Sequence, residues 1–81
     1  MRTYNLEEDK KQLKESISIL KKNNVKKPYI ASVSKTLFQE ILNNDEKDKF
    51  FKMLSECEVD ILRVYDYDVV VDEYTIKEVK I

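Results

Sequence analysis

None of the 81 residues is glycine. Loops without glycine are stiff, and the unfolded chain has less entropy to lose on folding, a bias common in stable and thermophilic proteins. Five asparagines (Asn5, Asn23, Asn24, Asn43 and Asn44) point the other way, since asparagine is thermolabile. Backbone loops that cradle a phosphate need glycine, so that class of nucleotide site is excluded. Where a helix has to stop, asparagine is the residue here that tolerates left-handed geometry, as at Asn23 and Asn24.

A chain of this length forms one domain, residues 1–81, whose core supplies only a modest surplus over chain entropy. A staple or an assembly is therefore expected. With no histidine and Cys57 as its one cysteine, the chain cannot build a structural zinc site or an internal disulfide. Carboxylates remain, and they suit calcium or magnesium. No cofactor is expected. A lone cysteine with no signal peptide ahead of it points to a reducing cytoplasm, and no apolar run is long enough to span a bilayer.

Hydrophobic periodicity gives the order helix, strand, helix, helix, strand, strand, strand. Asn5 can cap a first helix, with Glu8 three residues on, and Leu6, Leu13, Ile17 and Leu20 recur on one stripe at about 100° per residue. Ile19 projects away from that stripe, either as scatter or as a contact with another chain. Residues 29–33 read as a strand after Pro28, Ser34 caps a helix over residues 35–43, and Asp45 is the cap candidate for a helix over about 46–56. Phe50, Met53, Leu54 and Cys57 share a side of that last helix, which makes Cys57 a small buried apolar residue rather than a reactive thiol. Residues 59–64 change parity, so a bulge or bend is expected near residues 61–63. Val69, Val70 and Val71 are apolar on both faces, the pattern of an interior strand, and residues 75–81 read as a last strand.

Charge is segregated along the chain although the total is −1. Residues 10–35 carry eight lysines against Glu15, a net of +7, whereas residues 36–81 carry six basic and twelve acidic residues, a net of −6. Either the poles meet other molecules, or the segments fold side by side and cancel, which is the favoured reading. Lys21, Lys22, Lys26 and Lys27 could release counterions from a phosphate backbone, but lysines at a helix C-terminus also complement its dipole. A nucleic-acid partner is not expected. Asp66 and Asp68, two apart, would lie on one side of an extended chain about 7 Å apart and could bracket a divalent ion, or simply be polar turn residues. Together with Asp72 and Glu73 they also suggest an acidic face, a nucleic-acid mimic acting on a basic partner, although Arg63, Lys77 and Lys80 interrupt it. Without histidine no serine is placed for nucleophilic catalysis, and the chain is expected not to be an enzyme.

The stretches "ILKKNNVKKPYIASVSKTLFQEIL" and "VDILRVYDYDVVVDEYTIKEVKI" resemble the A-domain of HK97-type capsid and encapsulin shell proteins, most closely the short encapsulins that consist of that domain alone. The likeness covers residues 17–81, with Lys27 where the family usually has glycine, and the chain is too short for the peripheral domain, extended loop and N-terminal arm of full shell proteins. The resemblance implies a self-associating structural protein, or a small relative that attaches to co-produced metabolic enzymes, and carries no catalytic residues.

The expected fold is α+β: a small, mostly antiparallel sheet of residues 29–33, 59–64, 67–72 and 75–81, covered by two or three helices. Its expected core is Leu13, Ile17, Leu20, Ile30, Leu37, Ile41, Phe50, Leu54, Ile61, Val69, Val71 and Ile76. The expected partners are further copies of the chain, with a metabolic enzyme as a candidate cargo and no membrane. Ile19, Asp66, Asp68, Asp72 and Glu73 are the candidate contact residues, together with the strand edges. Shell kinship and assembly both lean on Val69–Val71 being shielded in mid-sheet; the three valines bare at the surface would remove that support.

Overall fold

The computed structural model describes residues 4–78, and its first element begins where the capping signal lies. Asn5 is extended, and its side chain accepts from the backbone N–H groups of Glu7 and Glu8, satisfying donors at the start of α1 (Leu6–Lys22). Glu7, Glu8 and Asp9 in the first turn and Lys21 and Lys22 in the last complement the helix dipole. After a loop come β1 (Ile30–Ser34), α2 (Lys35–Asn43), α3 (Lys47–Glu56), β2 (Ile61–Asp66), β3 (Val69–Thr75) and a 3₁₀ turn at Ile76–Glu78. Ser34 closes β1 and caps α2, its Oγ accepting from Leu37 N–H at 3.1 Å.

All three helices end in the same way, and none uses glycine. Asn24, Asp45 and Glu58 adopt φ of 61°, 57° and 64°. The residue after each donates back to the helix: Val25 to Leu20, Glu46 to Ile41, Val59 to Leu54, while the left-handed residues themselves donate to Lys21, Leu42 and Ser55. These are paired Schellman bonds. Asp45 therefore ends α2 rather than capping α3; Glu46 holds the N-cap position and makes no side-chain cap bond. The sequence signal was ambiguous because aspartate suits both a left-handed stop and an N-cap.

The fold is α+β, but its sheet differs from the mostly antiparallel, four-stranded expectation. Three strands lie in the order β1-β2-β3, with β1 parallel to β2 and β2 antiparallel to β3. Parallel pairing follows from the connection, because α2 and α3 together form the crossover that a parallel pair requires. The expected fourth strand is lost: Thr75 ends β3, the next three residues form the 3₁₀ turn, and 79–81 lie outside the described residues. The bulge also sits later than residues 61–63, at Val64/Tyr65, where β3 carries Val71 as its extra residue.

Helices cover one face only. Ala31, Leu62 and Tyr74 are in register on that face, as are Val33, Val64 and Asp72. Beneath the helices Phe51, Ile41, Leu54 and Leu62 are almost fully buried, and Phe38, Phe50, Phe51 and Tyr74 meet edge-on or tilted, with ring centroids 5.3–6.3 Å apart. Of the expected core, Ile17, Ile41, Phe50, Leu54 and Ile76 are buried, and Leu13, Leu20, Leu37 and Ile61 half-buried. Ile30, Val69 and Val71 are exposed instead, at 44%, 63% and 49%. For β1 the parity is one residue off: Ala31 and Val33 point inward, so Ile30 points out. The valine run fails for another reason. β3 is the edge of the sheet, so Val69–Val71 do not form an interior strand, and the support they gave to shell kinship and to assembly alike is withdrawn.

Candidate interaction surfaces

Four of the five candidate contact residues fall on one hairpin. Asp66 ends β2, Tyr67 and Asp68 form its turn, and Asp66 pairs with Val69. Tyr67 has φ 55° and is 93% exposed; a positive φ at the first central position alone is the signature of a type II′ turn. Because the chain reverses here, Asp66 and Asp68 do not share one side of an extended segment, and the spacing argued for an ion-bracketing pair does not apply. Among the described residues no group of three or more His, Cys, Asp or Glu side chains is placed to hold a metal.

Asp72 and Glu73 are engaged locally. Asp72 Oδ1 accepts from Glu73 N–H at 2.9 Å and Oδ2 from the Tyr74 hydroxyl at 2.7 Å, while Glu73 accepts from Arg63 Nε at 3.0 Å. Its bond to Asp72, then burial, raises the Tyr74 phenol above its ordinary pKa; the bonds to Glu73 and Tyr65 raise Arg63. Asp72 thus occupies a backbone donor of β3. With the bulge at Val71 and the charges beside it, this edge carries the devices that discourage strand addition.

The opposite edge has none of them. Ile61 N–H donates to Tyr29 O, and Ile30 is in register with Ile61, so Tyr29, Ala31 and Val33 turn their backbone groups toward β2. Ile30, Ser32 and Ser34 then present theirs to the outer edge. Their side chains are exposed on the face that no helix covers, and no residue of β1 is charged. Behind this edge a groove of about 260 Å³ opens between α1 and β1, floored by Leu13, Leu37, Phe50, Met53 and Leu62.

Three lysines of the basic segment meet acids of the later one, in the sense favoured from sequence. Lys10 pairs with Glu56 at 3.3 Å, Lys27 with Asp60 at 3.6 Å, and Lys21 with Glu58. Lysine's hydrogen bond holds Glu58 below the usual carboxylate range. Lys27 also lies 5.8 Å from the Tyr29 ring centroid. Two of the four clustered lysines are therefore committed to structural contacts. Cys57 is buried, donates to Lys10 O at 3.6 Å, and has its thiol pKa pushed up by burial, which opposes thiolate chemistry. A shallow cleft of about 530 Å³ lies past the carboxyl ends of β1 and β2, between Lys35, Thr36, Asp66 and Tyr67.

Ile19 is 59% exposed, away from the hairpin. At about 100° per residue it shares a flank of α1 with Asp9, Gln12 and Ser16, which line the groove beside β1 together with Leu13. Sequence reasoning named strand edges as contacts without picking out β1. Its uncharged, small-residue run carried the signal, but an edge is recognisable only once the strand order is known. Among the described residues no helix is long and apolar enough to cross a membrane. No family profile, curated protein or solved structure matches this chain.

Proposed function

We propose that this is a non-enzymatic structural protein that works by associating with copies of itself through its sheet. The observation that carries the reading is the open β1 edge of the sheet, where Ile30 stays 44% exposed and no residue is charged in a chain that is 38% charged. An open, uncharged strand edge on a small domain is a surface for pairing with another strand, and burying it adds to the stability that so small a core supplies. The test is the thermal midpoint as a function of concentration. Association of the folded state raises it as protein concentration increases about a hundredfold; a midpoint independent of concentration overturns the reading.

The alternative, an acidic protein that holds a basic partner, draws on Asp66 and Asp68, because the carboxylates of Asp72 and Glu73 already accept bonds from within the hairpin. Salt-sensitive capture of a basic protein, lost on charge reversal at Asp66 and Asp68, would favour it.

A further inference from the structure

From the unguarded β1 edge and the sparsely charged flank of α1 beside it, we infer that a second copy docks by antiparallel pairing of β1 with β1 across a two-fold axis at Ser32, joining the two sheets into one. The inference rests on the self-association proposed above and specifies the surface that performs it.

Backbone geometry selects this register. Ile30, Ser32 and Ser34 point their N–H and C=O groups outward. A two-fold at Ser32 sets Ser32 against its own copy and Ile30 against Ser34, so every outward-facing residue meets another and forms a hydrogen-bonded pair. Ala31 then lies opposite the second Val33 on the helix-covered side, at the mouth of the groove, and Ile30, Ser32 and Ser34 continue the open face. Nothing charged is brought together, and nothing larger than isoleucine lies on the strand. The β3 edge offers no equivalent: the bulge at Val71 breaks its repeat, Asp72 holds the N–H of Glu73, and self-pairing would draw acidic side chains together.

The helices fit the same axis. Tyr4 meets Glu46 and Lys10 meets Glu56, so α1 runs in the direction of α3; Lys21 meets Glu58, just before β2 starts at the level of Ile30. α1 is therefore antiparallel to β1. The two-fold lays the two α1 helices antiparallel on one side of the joined sheet, with Glu7 and Glu8 of one at the level of Lys21 and Lys22 of the other and with opposed dipoles. The flank turned toward the second copy carries Gln12, Ser16 and Ile19 in a helix otherwise dense in charge. Asp9 lies at the groove mouth, where burial and then Glu8 push its carboxyl pKa up. Low charge at the centre and complementary charge at the ends is the anatomy of a protein interface.

Three substitutions test it on the full chain. Ser32→Lys leaves the exposed side chain on the open face but sets two lysines against each other across the axis; it gives a monomer with unchanged circular dichroism. Val70→Lys, on the guarded edge, leaves the dimer intact. Ser32→Cys, whose sulfurs meet at a pair separation of about 5.5 Å between Cα atoms, oxidises to a covalent dimer while Cys57 stays buried. A wild-type dimer that survives Ser32→Lys and does not cross-link through Ser32→Cys overturns this surface and leaves self-association standing. A wild-type monomer overturns both.

Discussion

Asp72 holds the backbone N–H of Glu73, at 2.9 Å from Oδ1, on the outer edge of β3. The bond occupies a donor that an incoming strand would need, and the second carboxylate oxygen is anchored by the Tyr74 hydroxyl. One aspartate thus answers, for its own position, why acidic residues surround the valine run: it guards an edge that the run leaves apolar.

Removing that guard exposes the edge. Asp72→Ala is expected to cost about 1 kcal/mol, the usual worth of hydrogen bonds at a solvated site, and to speed amide exchange at Glu73. Chemical denaturation and hydrogen exchange read the two effects. Unchanged exchange at Glu73 would contradict the cap.

The same contact sets an alkaline limit. Tyr74 holds its proton more tightly folded than unfolded, because of Asp72 first and burial second. Its contribution is full below the ordinary tyrosine value of about 10 and is lost as pH rises through the higher folded value. Unfolding free energies from pH 8 to 11 are expected to fall more steeply for the wild type than for Tyr74→Phe. Parallel curves would contradict this.

Exposed valines predict mild substitutions. Val69→Thr and Val71→Thr are expected to change stability by no more than about 0.5 kcal/mol, whereas Leu62→Ala, in the buried layer, costs about 2–5 kcal/mol. Urea denaturation midpoints separate the two sets. A loss of several kcal/mol at either valine would restore the interior-strand reading.

Glycine is missing where it would help most. Asp45 at φ 57° ends α2 in a conformation that glycine adopts without steric cost. Asp45→Gly is expected to stabilise by up to about 1 kcal/mol, a rise in thermal midpoint of about 4–8 °C for a domain this size. Asp45→Val, β-branched at positive φ, moves it the other way.

The helices were legible in the sequence because their signals are local. Asn5, Ser34 and the Asn23–Asn24 pair mark caps and stops that each depend on a few neighbours. The sheet was less so. Whether Ile30 or Ala31 faces inward depends on a one-residue choice of parity, and whether Val70 is central or at an edge depends on which strands exist beyond it. Val69–Val71 look like an interior strand by composition, yet strand order leaves them without a neighbour on one side. Of the candidate contact residues, the exposure of Ile19 was readable from helical period alone, and which strand forms the open edge could be read only once topology placed β1.

Sedimentation equilibrium on the wild-type chain tests the central claim most directly. A mass of twice 9.7 kDa that falls toward one chain only on dilution is the predicted result. A single-chain mass that persists up to about millimolar concentration, where even a weak association of this kind would be visible, would contradict the account.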